Sequence, residues 1–270
     1  MYVNRAVGDF IVFKFEMNPT KENARMSMGA LMVLNDNTIS LLEIASEHGM
    51  LTVRMTEVAQ VNIRLLGGNL VKIVAISINK GIFDQELAIT AISNFGTLFN
   101  SSLEVVKIAD KSGLLKDLVQ AKRIIGDALD TAADLSDQMA GVINLTLDNI
   151  KVTPAIQEAI TANVIKAIGS AREIFDFAAV KETGRLTIPI LEKFSQVLNN
   201  FAGINFTKLS KDSVLAIASV LAENALYISS VINNIKEGEK ASAQTVNNLI
   251  EVFTKIAAVA ESKLDSKFFS

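Results

Sequence analysis

The chain contains no cysteine, a single histidine and few charges, and each shortage narrows what it can be. Without a thiol there is no disulfide, no thiolate metal site and no cysteine nucleophile. The one histidine, His48, lies in Glu43-Ile44-Ala45-Ser46-Glu47-His48-Gly49. Alone it does not supply the convergent groups that an acid-base or metal site needs, so it reads as a turn residue at the end of an element. No G-x-S-x-G elbow accompanies it, and no G-x-G-x-x-G or G-K-[ST] loop offers a phosphate cradle. Gly67, Gly68 and Gly81 therefore read as turn glycines. Charged residues make up only 20% of the 270, against 50% hydrophobic, where soluble domains average about 25% charged. Some apolar surface is expected to meet a partner. A formal net charge of -3 and a pI near 5.4 lack the basic excess of a nucleic-acid binder. No enzyme activity, cofactor, metal or small-molecule substrate is indicated, and nucleic acid is not expected as a ligand.

What is present is helical periodicity. From Ser112 to about Asn149, apolar residues recur at alternating steps of four and three, including Leu118, Ile125, Leu135, Met139 and Val142. That spacing keeps one helix face toward a partner. Apolar neighbours such as Ile124 and Leu129 widen the stripe beyond a coiled-coil seam, so this helix belongs inside a bundle. Asp127, Asp130, Asp134 and Asp137 fall on the other side and read as a solvated face, with no EF-hand spacing. Thr153-Pro154 starts a second helix, which Gly184 closes, and Thr187 starts a third. Ser210 caps a fourth, with Ile217, Leu221 and Ile228 in register. Glu237-Gly238-Glu239 reads as the turn before a last helix carrying Leu249, Phe253 and Ile256. At ~1.5 Å per residue, helices of roughly 25 residues would each span about 38 Å. No fixed period that would indicate a solenoid stands out.

The first hundred residues have a different texture. Residues 9–17 alternate aromatic and β-branched positions and predict a strand. Residues 28–34 and 38–45 flank Asn35-Asp36-Asn37 like the arms of a hairpin, Gly67-Gly68-Asn69 reads as a breaker, and 70–79 is the best strand candidate. A short helix over 84–99 bridges to the bundle, and Asn100-Ser101-Ser102 reads as turn chemistry. The expected fold is α+β, mainly α overall: a β-rich region over 1–103 ending in the bridging helix, then an antiparallel bundle of about five helices over 104–270.

The sparsely charged stretch 65–103 is the most distinctive segment. Its Ile82, Phe83, Phe95, Leu98 and Phe99 are candidates for a membrane or partner surface. An apolar tongue on a helical rod resembles the layout of α-helical pore-forming toxins, which would imply membrane insertion. The first reading is nonetheless a non-enzymatic assembly subunit, joining other copies or other subunits of a virion, tail or secretion-like machine. No signal peptide and no spanning helix is recognised, so cytoplasmic synthesis is expected, while the final location stays open, with association to a virion one alternative.

Overall fold

The computed structural model describes residues 2–179, 186–233 and 242–264, and among them there is no β-strand. Helices α1 (Tyr2–Met17), α2 (Lys21–Glu47), α3 (Val53–Asn79) and α4 (Gln85–Lys111) fill the region expected to be β-rich. They are followed by α5 (Leu118–Asn149), α6 (Pro154–Ala179), α7 (Ile188–Ala202), α8 (Lys211–Asn233) and α9 (Ala243–Leu264). The β-rich expectation is therefore corrected to an all-helical one. Asn35-Asp36-Asn37 is mid-helix in α2, Gly67-Gly68-Asn69 is mid-helix in α3, and α4 runs straight through Asn100-Ser101-Ser102 across position 103. Gly184 and Glu237-Gly238-Glu239 lie outside the described residues.

The physical reason for the difference is that Asn35, Asn69, Ser101 and Ser102 are buried between helices, while Asp36, Asn37 and Asn100 lie on exposed helix faces. Asn35 is wholly inside and donates its amide to Ser101 Oγ of α4 at 2.8 Å. Ser102 Oγ donates to Gln60 Oε1 at 2.8 Å, while Gln60 Nε2 donates to the Ser102 carbonyl at 3.0 Å. A buried polar group left unpaired costs roughly 1–3 kcal/mol, and apart from Asn35 Oδ1, which has no partner, the side-chain groups named here are paired across helices, so they fasten helices together rather than bend the chain.

The helices form two layers. Besides its chain neighbour, each packs on the helix two places away: α1 on α3, α3 on α5, α5 on α7 and α7 on α9 in one layer, and α2 on α4, α4 on α6 and α6 on α8 in the other. Each of these contacts carries a polar tie. Lys72 reaches Asp9 between α1 and α3 at 3.7 Å, Arg64 meets Asp134 between α3 and α5 at 3.0 Å, and Lys107 meets Glu173 between α4 and α6 at 2.9 Å. Asn200 donates to Ser136 between α5 and α7 at 2.9 Å, Arg172 to Asn224 between α6 and α8 at 3.2 Å, and Asn248 to Ser195 between α7 and α9 at 3.0 Å. Exposed ties add little energy, but a buried polar pair fixes which helix turn meets which.

The connections repeat as well. Thr20, Thr52, Asp84 and Asp117 each accept a hydrogen bond from the backbone N–H three residues on, capping α2 to α5. After α2 and α3 the chain turns through glycines with φ of 66°, Gly49 and Gly81, a conformation that costs other residues. Met50 N–H returns to the Ala45 carbonyl and Ile82 N–H to that of Ser77, satisfying carbonyls that the helix ends leave free. Gly49, Gly81 and Gly113 all have positive φ and recur every 32 residues. The chain is thus a stack of one-helix units, and the expectation of no solenoid period is corrected with the β-rich one.

One contiguous apolar core runs from Val12 on α1 to Val252 on α9. Rings pack across and within layers: Phe175 of α6 stacks on Phe194 of α7 at 4.8 Å and Phe99 of α4 lies 5.9 Å from Phe201 of α7, both across layers, while Phe175 meets Tyr227 of α8 edge-on at 5.9 Å within one. Two glycines set the approach of neighbours within a layer. A Cβ on Gly67 would stand 2.3 Å from Gln138 Oε1 of α5, and one on Gly96 would stand 2.3 Å from Asn163 Oδ1 of α6. Gly29 and Gly141, by contrast, have open space around them on exposed helix faces. Gly29→Ala and Gly141→Ala are each expected to raise the unfolding free energy by about 0.5–1 kcal/mol, read by urea denaturation.

Candidate functional site

Most residues singled out for helix packing are inside: Ile125, Leu135, Met139, Val142, Ile217, Leu221 and Ile228 are wholly covered and Leu249 nearly so. Ile256 is half-buried, and Leu118 and Phe253 are exposed. Of the residues proposed as a membrane or partner surface, Phe95, Leu98 and Phe99 are wholly covered inside α4, with Ile82 and Phe83 half-buried in the α3–α4 connection. The stretch 65–103 is therefore core in this structure. Among the described residues two helices, α3 and Lys211–Ile232 of α8, are long and apolar enough to cross a membrane on length and composition alone; α3 is packed among α1, α2, α4 and α5.

His48 sits exposed at the C-terminal cap of α2, and no group of three or more potential metal ligands occurs among the described residues. Two of the four aspartates of α5 are tied to neighbouring helices: Asp130 pairs with Lys193 of α7 and Asp134 with Arg64 of α3. Beside them the nearly buried Glu57 of α3 pairs with Arg123, and with Arg54 at 3.3 Å. Asp127 faces this cluster. Burial raises its carboxyl above the ordinary 3.8, the charges of Glu57 and Asp130 raise it further, and Lys193 and Arg123 pull the other way. A carboxylate whose folded pKa lies above its unfolded one makes the fold less stable as pH rises through that interval. Asp127→Asn should therefore raise the urea midpoint at neutral pH, and this gain should shrink as acid protonates Asp127 in the native protein.

Farther along, the Arg172 guanidinium lies 3.4 Å from the Tyr227 ring centre, and Tyr227 donates to Asp176 at 2.7 Å. Burial, then that hydrogen bond, push the Tyr227 phenol up to about 12, so it stays protonated and structural. An open hollow of about 530 Å³ between the starts of α6 and α8 is lined by Pro154, Gln157, Thr161 and Ser213, together with the acids Glu158 and Asp212.

The surfaces left over are the two ends of the stack. Among the described residues, no further helix packs on the outer side of α1 and α2 or on that of α8 and α9. Each end shows an apolar stripe. On α1 it is Phe10, Phe13 and Met17; on α2 it is Met26, Val33, Leu41 and Ile44, with Met26 and Leu41 both 62% exposed. Between them runs an open groove of about 560 Å³, lined by Phe10, Lys14, Met17, Asn23, Met26 and Ala30. At the far end, α8 exposes Leu215 and Leu226 with the small Ser219 and Ala222 between, and α9 exposes Val246, Ile250 and Phe253. Leu226 is 61% and Ile250 57% exposed. Sequence reasoning missed the first end because residues 28–34 and 38–45 read as the arms of a hairpin; at helical spacing, positions 26, 33, 41 and 44 fall on one face.

No protein family matches the chain, and no curated protein matches it. Among solved structures it is similar to one described as "DHF119 filament", at 14% identity and a TM-score of 0.54, covering 87% of this chain and 96% of that one. It also aligns with de novo designed helical repeat protein DHR64, at 14% identity and a TM-score of 0.41 over 97% and 93% of the two chains. A chain described under "Computational Design of Self-Assembling Cyclic Protein Homooligomers" gives 15% and 0.40 over 98% and 99%. At 14% identity the first likeness is one of fold. It agrees with the two-layer packing, which defines the fold class: a stack of helical repeats.

Proposed function

We propose that the protein is a non-enzymatic assembly subunit that associates with copies of itself through its apolar surfaces. The observation that carries this reading is the pair of stack ends, each with an apolar stripe along two helices that nothing among the described residues packs on. Solenoids that act as monomers close their ends with polar faces, and contiguous exposed apolar stripes of this kind mark contact sites. The solved structure of similar fold is described as a filament, which agrees with the reading. A virion, tail or secretion-like machine is its finer form. Insertion of residues 65–103 into a membrane is less well supported, because Phe95, Leu98 and Phe99 would have to leave the core. Sedimentation velocity over a micromolar to sub-millimolar range tests the proposal. The weight-average mass should climb with concentration; a single monomeric species throughout would overturn it.

A further inference from the structure

We propose that the contact is head-to-tail, with the α1–α2 face of one copy seated on the α8–α9 face of the next. This rests on the self-association reading and adds which faces meet. Within the chain, every helix follows the helix two places before it in the same layer. A second copy placed with its α1 after α9 and its α2 after α8 continues both layers by the same rule.

The two faces also differ in relief. The first presents bulky ridges, Phe10, Phe13, Met26 and Leu41, whereas on α8 Ser219 and Ala222 leave a shallow gap between Leu215 and Leu226. Ridges seat in grooves more readily than on other ridges, which disfavours two α1–α2 faces meeting. A symmetric dimer through either face would leave the other uncovered, while head-to-tail contact covers both. Such a heterologous contact builds a ring if its rotation closes and a filament if it does not.

The test uses two full-length variants altered only at exposed positions: Met26→Glu with Leu41→Glu on the first face, and Leu226→Glu with Ile250→Glu on the second. Circular dichroism and the urea midpoint should match wild type; if either double variant is unfolded, the single changes Leu41→Gln and Leu226→Gln replace it. Sedimentation velocity of each variant alone should show one chain per particle at concentrations where wild type assembles. Mixed one to one, each variant still holds the intact face the other lacks, so the mixture should shift to particles of two chains and no larger. A wild type that assembles while either variant also assembles alone, or while the mixture stays monomeric, overturns head-to-tail pairing and leaves self-association standing. A wild type that never assembles overturns both.

Discussion

Replacing Phe99 by alanine should lower the unfolding free energy by about 3–5 kcal/mol, the range for emptying a fully buried aromatic site. Its ring has no exposure and lies 5.9 Å from Phe201 of α7, so it joins the even layer to the odd one midway along the stack. Natural domains are stable by about 5–15 kcal/mol, so this single change removes a large share. Urea denaturation reads it directly. A loss below about 1 kcal/mol would mean that α4 does not sit inside the core.

The second large effect is expected at Gly67. A leucine there would begin with a Cβ 2.3 Å from Gln138 Oε1, 2.7 Å from Leu135 Cδ2 and 3.3 Å from Phe95, before any of its longer atoms are placed. The Gln138 amide can swing aside, but Leu135 and Phe95 are wholly buried and have no free space to enter. Overpacking costs typically 1–3 kcal/mol and occasionally more. Gly67→Leu should reach about 3 kcal/mol in the same assay by forcing α3 away from α5. Gly141→Ala changes a glycine of the neighbouring helix with the opposite sign, so helix propensity alone does not explain both results.

The helical half of the fold was legible because its apolar stripes run at the helical period without interruption from Leu118 to Leu147 and again in α6 to α8. The first hundred residues were not, for a local reason. In a two-layer stack an inner helix is covered on several sides, so α3 buries Leu70, Ile73, Val74 and Ser77 with little alternation left to see. The β-branched residues there then outweigh the weaker period, and tertiary packing overrides their strand preference. The polar signals pointed the wrong way too. Asn35, Asn69 and Gly67 carry turn chemistry in isolation, yet all three are buried where helices approach one another.

A better signal was available in the spacing. Gly49, Gly81 and Gly113 recur every 32 residues, and Thr20, Thr52 and Asp84 keep the same interval as caps. A glycine followed three residues later by a capping side chain is what one helix ending and the next beginning requires. That interval would have placed helices α2 and α3 where strands were expected, and extended the helix expected over 84–99 to the next glycine. It would also have shown the stripe on α2 as one face of a helix.

Stacking of each helix on the one two places away makes the ends unfinished, and one cross-link tests it most directly. A Cβ built on Gly96 of α4 lies 3.5 Å from the Asn163 Cβ of α6, at the short end of the 3.5–4.5 Å range that disulfides span. The chain has no cysteine of its own. Under mild oxidation the Gly96→Cys, Asn163→Cys double variant should lose both thiols, while remaining a single chain on a non-reducing denaturing gel. Thiols that stay titratable, or that link only different chains, would show that α4 and α6 do not lie side by side.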